Sequence, residues 1–142
     1  MLVKDVMNKN VVVGKPDLTV KEASKVMSQF HMGSLVILDD EKKIVGILTE
    51  RDILISVAEG KDPETAAAAD IMSKDVVTIE PDKKIEEAVD LMVKYKIKKL
   101  PVVRDEKLVG IVTASDIVVV EPKLIQSIAS LVSIRMPEYS GG

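Results

Sequence analysis

The stretch Gly46-Ile47-Leu48-Thr49-Glu50-Arg51-Asp52 decides the fold, because it recurs as Gly110-Ile111-Val112-Thr113-Ala114-Ser115-Asp116. Each copy is a Gly, two apolar residues, a Thr, two variable positions and an Asp. The apolar pair reads as the end of a buried strand. Thr-x-x-Asp reads as the start of a helix, with Thr at the N-cap and Asp at the third helical position. A helix N-terminus offers unpaired N–H groups and the positive end of a dipole, so it suits an anion. A hydroxyl and a carboxylate held there at fixed separation suit a sugar diol beside a phosphate.

Outward from this stretch the whole chain repeats. Asp5-Val6-Met7 matches Asp70-Ile71-Met72, and Pro16-Asp17 matches Pro81-Asp82. Glu22-Ala23 matches Glu87-Ala88, Met27 matches Met92, and Asp40-Glu41-Lys42 matches Asp105-Glu106-Lys107. A two-fold internal duplication follows. Two similar halves pack about a pseudo-two-fold axis, so sites are expected in pairs between them.

Each half reads as strand, helix, strand, strand, helix. Residues 11–13 form a short apolar strand, ended by Gly14 and Pro16. Thr19-x-x-Glu22 is a capping box that opens a helix with the apolar stripe Val20, Ala23, Met27 and Phe30, and Gly33 closes it. Residues 35–38 and 44–48 make a hairpin around a polar turn, and a second helix runs from Glu50 to about Glu59. The second half repeats the order, with a strand at 76–79 and a helix striped by Ile85, Ala88, Val89, Met92 and Tyr95. Lys84 stands where Thr19 caps, so Asp82 is the expected cap there. A further helix is expected from Pro122 to Ile134, striped by Leu124, Ile128, Leu131 and Val132, before a tail. The expected division is 1–62, 63–120 and 121–142: two repeats and a helical extension.

Composition narrows the function. The chain has 142 residues, 46% of them apolar, enough for one compact core or two small intimate ones. No apolar run is long enough to span a bilayer, and the first residues lack a signal-peptide pattern, so a cytoplasmic protein is expected. Cysteine is absent and His31 is the only histidine, which leaves no thiolate and no multi-histidine metal site. A net charge of −3 and only Phe30, Tyr95 and Tyr139 as aromatics argue against nucleic-acid binding and base stacking. No nucleophile–base pair or phosphate-binding Gly-rich loop is visible, so an enzyme is not expected.

The full set of matches, with Pro16 and Pro81 before a helix, Leu100-Pro101-Val102-Val103 on a strand and Gly-x-x-Thr-x-x-Asp at the end of the next, resembles a tandem pair of cystathionine-β-synthase (CBS) domains. The resemblance covers residues 4–119. It implies an α/β fold of two β-α-β-β-α motifs with two clefts between the halves. It also implies a regulatory role, with AMP, ADP, ATP or S-adenosylmethionine as ligand and no catalytic cofactor. Carried onto this chain, one cleft is implied to combine Thr49, Arg51 and Asp52 with Thr78, Lys98, Lys99 and Pro101, with Lys96 adding positive charge. The other is implied to combine Thr113, Ser115 and Asp116 with Val13, His31, Gly33 and Ser34. Each Asp is expected to accept hydrogen bonds from the ribose hydroxyls, and the first cleft is expected to be the more electropositive.

Two apolar runs, Ile53-Leu54-Ile55 and Ile117-Val118-Val119-Val120, cannot turn every side chain inward from a helix. A homodimer through these helices is expected, with a separate effector protein as a further partner. The competing reading is a ligand-free dimerisation or protein-interaction scaffold.

Overall fold

A computed structural model of the chain describes residues 1–131. The first half runs through helix α1 (Val3–Val6), strand β1 (Val13–Gly14), helix α2 (Val20–Gln29), strands β2 (Ser34–Leu38) and β3 (Ile44–Thr49), and helix α3 (Glu50–Ala58). The second half follows with α4 (Ala68–Ile71), α5 (Ile85–Tyr95), β4 (Lys99–Arg104), β5 (Lys107–Thr113) and α6 (Ala114–Val120). A 3-10 turn (Pro122–Leu124), helix α7 (Ile125–Ile128) and a second 3-10 turn (Ala129–Leu131) complete the described residues. The fold is mixed α/β with two like motifs, as the repeat implied. The expected C-terminal helix is present, as α7 flanked by 3-10 turns up to Leu131, and its expected remainder, with Val132, lies outside the described residues.

Local sequence explains the elements. Thr19 Oγ1 accepts the N–H of Glu22 at 3.1 Å and starts α2, which buries Val20, Ala23 and Met27 at helical spacing. In α5 the buried stripe is Ile85, Ala88, Val89 and Met92. Lys84 has no capping side chain; instead the Glu87 carboxylate reaches back to accept the Lys84 N–H at 3.0 Å. Asp82 does not cap α5. It pairs with Lys4 at 3.1 Å and Arg104 at 3.4 Å, and the Lys4 hydrogen bond is the first reason its carboxyl sits below the usual range.

Three boundaries differ from the sequence reading. Strand β1 is Val13–Gly14 rather than 11–13, and pairs in parallel with Val36 and Ile37 of β2. Its twin at 76–79 shrinks to a single parallel bridge between Ile79 and Val102. Helix α2 ends before Gly33, at Phe30, and His31 takes the left-handed φ of 54° that turns the chain into β2.

The two halves exchange their lead-in segments. Helix α1 opens the first half of the sequence, yet Val3 is fully buried in the core of the second half, among Ile85, Met92, Leu100 and Ile117. Conversely Ala68 of α4 is buried in the core of the first half, with Met27, Leu35, Ile37 and Leu48. Backbone pairing follows the same symmetry. Leu2 bridges Lys84 and Ala67 bridges Thr19, while Asn8 bridges Ile111 and Ser73 bridges Ile47. The repeat glycines make room for this. A Cβ on Gly46 would collide with Met72, and one on Gly110 would lie 2.7 Å from the Met7 sulfur and 3.1 Å from the Asn8 carbonyl oxygen. The two hairpins also meet directly, Lys43 bridging Lys107.

Candidate ligand cleft between the two halves

Both Gly-to-Asp stretches end a strand and start a helix as read. Thr49 is the N-cap of α3 and Thr113 that of α6, and each Oγ1 accepts the N–H of the Asp three residues on, at 3.1 Å. The first N–H of each helix is also taken: Glu50 donates to the Gly33 carbonyl at 3.1 Å and Ala114 to the Lys98 carbonyl at 2.8 Å. Two of the first three N–H groups of each helix are therefore satisfied within the chain. Neither helix end is the open anion site that the sequence suggested.

The two aspartates differ. Asp52 closes a full capping box, one carboxylate oxygen accepting the Thr49 N–H at 2.9 Å. Asp116 makes no such return bond, and its carboxylate accepts no hydrogen bond among the described residues. It is half-buried and faces a cleft of about 300 Å³. Thr113, Ile111 and Lys99 line this cleft from the second half, and Val11, Val12, Phe30 and Met32 line it from the first. Asn8 and Asn10, on the segment that joins α1 to β1, complete the wall. The cleft combines apolar walls able to sandwich a flat ring system with one carboxylate, one hydroxyl and one ammonium.

Lys99 sits there because β4 pairs with β5 in the register Lys99–Thr113. Burial alone pushes its ammonium below the usual lysine range. It forms no ion pair among the described residues.

The other implied site residues are distributed differently. Asp52 faces a smaller hollow of about 190 Å³ with Ser56, Glu59, Lys61, Asp70 and Ile71. Lys99, implied to serve Asp52, lines the Asp116 cleft instead. His31 and Gly33 line a groove between α2 and α3 with Met27, Ile53 and Leu54. Lys98 and Ser115 line the corresponding groove of the second half, where Ile125 and Ile128 of α7 lie. Thr78 borders a separate hollow of about 660 Å³ with Glu80, Glu87 and Asp105. Pro101 is buried in β4, its carbonyl accepting the Ile79 N–H at 3.1 Å. Ser34 opens β2 opposite Thr49. Arg51, Lys96 and Val13 are exposed.

Sequence reasoning missed Asn8, Asn10, Val11, Val12, Phe30, Met32 and Ile111. The turn that ends α2 separates them: with His31 at a left-handed φ of 54°, Phe30 and Met32 line this cleft while His31 and Gly33 line the groove between α2 and α3.

A chain of two like halves with a shared cleft is a tandem-repeat module. The family model for the CBS domain matches residues 3–59 and again residues 68–122. The chain belongs to the CBS domain family. It is 44% identical over 128 residues to an uncharacterized protein of Methanopyrus kandleri, covering 89% of this chain and 65% of that one. It is 40% identical over 114 residues to inosine-5'-monophosphate dehydrogenase of Methanocaldococcus jannaschii, but those residues are only 22% of that protein. The CBS domain pair crystallised in complex with 5'-methylthioadenosine and S-adenosyl-L-methionine is 32% identical. It superposes with a TM-score of 0.76, covering 87% of this chain and 97% of that one. Among the described residues no helix is long and apolar enough to cross a membrane.

Proposed function

We propose that the chain is a cytoplasmic, non-catalytic regulatory module that binds an adenosyl compound in the cleft between its halves. AMP, ADP, ATP and S-adenosylmethionine are the candidate ligands. The observation that carries this reading is the Asp116 carboxylate, half-buried, accepting no hydrogen bond among the described residues and facing a cleft walled by both halves. Ribose hydroxyls are the donors such an acceptor lacks, and a charge-assisted bond of this kind contributes about 1.5–3 kcal/mol. The adenosyl ligands of the similar CBS pair support the same class.

Regulation then requires unequal binding to two conformations. A ligand held between Val11, Val12, Phe30 and Met32 on one side and Thr113 and Asp116 on the other favours arrangements in which the halves stay together. Thermal shift with AMP, ATP, S-adenosylmethionine and NAD tests the reading. A ligand at 100 times its Kd stabilises the native state by about 2.7 kcal/mol. Absence of any shift at millimolar concentration would leave a ligand-free scaffold.

The helix faces support a role in assembly beside the ligand. On α3, Leu54 is 69% exposed and Val57 59%; on α6, Val119 is 79% exposed. These residues form our candidate homodimer surface, and a separate effector protein is the alternative occupant.

A further inference from the structure

We propose that each chain takes one ligand only, at the Asp116 cleft, and that this ligand carries an anionic group, a phosphate, met by Lys99. The inference rests on the adenosyl reading above and adds stoichiometry and charge to it.

Two observations separate the two clefts, and a third, common to both helices, bears on where an anion is met. The first is the capping asymmetry: Asp52 already accepts the Thr49 N–H at 2.9 Å, whereas the Asp116 carboxylate is unengaged among the described residues. A ribose at Asp52 must compete with a bond that also holds the start of α3. The second is charge. The Asp116 cleft carries Lys99 as well as Asp116, and Asn10 in its wall. At the corresponding positions of the twin cleft the sequence has Ser34 for Lys99 and Asp75 for Asn10. The twin positions thus carry two carboxylates, Asp52 and Asp75, and no lysine. The hollow that Asp52 does face adds Glu59 and Asp70 against Lys61. An anion is repelled there.

The third is the fate of the helix end. Ala114 and Asp116 have already given their N–H groups to the Lys98 carbonyl and to Thr113 Oγ1, so the start of α6 has little left for a phosphate. The cation of the cleft, in no ion pair among the described residues, is the Lys99 ammonium. A half-buried lysine of this kind is under-solvated, and an arriving phosphate adds counter-charge beside it. A sulfonium compound brings a second positive charge to the same place.

Isothermal titration calorimetry on the full chain with AMP, adenosine and S-adenosylmethionine tests this. One AMP per chain is expected, with adenosine bound about ten-fold or more weakly. The AMP affinity should fall as salt is raised while the adenosine affinity holds. Lys99→Met should weaken AMP far more than adenosine, bringing the two affinities together. Asp116→Ala should weaken both, and Asp52→Ala should change neither the stoichiometry nor the affinity. Two AMP per chain would overturn the single site. Equal affinity for AMP and adenosine, or tighter binding of S-adenosylmethionine than of AMP, would overturn the role of Lys99 while leaving an adenosyl module intact. Failure of the wild-type chain to bind any of the three at millimolar concentration would overturn both this inference and the adenosyl reading beneath it.

Discussion

Val3→Ala tests the exchange of lead-in segments more sharply than any substitution in the sheets. Val3 lies at the third residue of the chain, where side chains are usually exposed and frayed. Here it is fully buried among the residues of the opposite half. The substitution removes two buried methyl-sized groups, about 1.6 kcal/mol at roughly 0.8 kcal/mol each. The cavity left between Ile85 and Ile117 adds to this, for a total of about 2–3 kcal/mol. The backbone anchors stay in place: the Val3 N–H donates to the Lys83 carbonyl at 2.8 Å, Lys4 to Pro81 at 2.9 Å and Asn8 to Ile111 at 2.8 Å. The loss therefore reports side-chain packing alone. Urea denaturation measures it directly, and a thermal melt should fall by roughly 6–12 °C at about 3–4 °C per kcal/mol. The partly exposed Val93 on α5 is the control, and Val93→Ala should stay within about 0.5 kcal/mol of wild type. A Val3→Ala protein as stable as the control would refute the exchange and place α1 in solvent.

Three further outcomes follow from the same observations. In the absence of ligand, Asp52→Ala should cost about 0.5–1.5 kcal/mol, because it removes the acceptor of the Thr49 N–H, while Asp116→Ala should cost less than about 0.5 kcal/mol; equal losses in urea would contradict the capping asymmetry. Lys99→Met should raise the stability of the ligand-free protein near neutral pH. Burial lowers the Lys99 pKa from its usual 10.5, so its charged form is penalised below the folded pKa and relieved as pH rises toward 10.5. The advantage of the variant should shrink over that rise, and a gap that stays constant from pH 7 to pH 10.5 would dismiss the burial. Leu54→Asp and Val119→Asp should give monomers in light scattering with circular dichroism unchanged; a wild-type chain already monomeric at high micromolar concentration would remove the dimer.

Much of the fold was legible because the repeat states it twice. Glycines at 46 and 110, threonines at 49 and 113 and the apolar stripes of α2 and α5 each do the same local work in both halves, so a pattern seen once was checked by its copy. What the repeat did not convey is which half each lead-in joins. Asp5-Val6-Met7 and Asp70-Ile71-Met72 match each other equally well whether they pack with their own half or the other. The close approach of Met7 to Gly110 and of Met72 to Gly46, with the burial of Val3 and Ala68 in the opposite cores, reveals the crossing. The cleft was legible in its acidic residue and hydroxyl but not in its walls. Whether Lys98 or Lys99 faces inward is a matter of one residue of strand register, and one residue moves a side chain to the opposite face. The register Lys99–Thr113 puts Lys99 in the lining of the Asp116 cleft, and Lys98 lines the outer groove.

The exchange and the cleft are one device. Residues 8–12 run from an anchor on the second half, where Asn8 exchanges hydrogen bonds with Ile111 at 2.8 and 2.9 Å, to β1 of the first half. Asn8, Asn10, Val11 and Val12 of that same run line the Asp116 cleft. A molecule seated there touches the first half through Phe30 and Met32, the second through Thr113 and Asp116, and the strap that ties the two together. Its binding free energy therefore opposes any motion that separates the halves or slackens the strap. The outward-facing residues Leu54 and Val119 lie on α3 and α6, the helices that Thr49 and Thr113 start. Whatever shifts Thr113 and Asp116 relative to the first half must also shift α6 relative to α3. That geometry gives a small molecule in the cleft a mechanical route to the surface where a partner would dock.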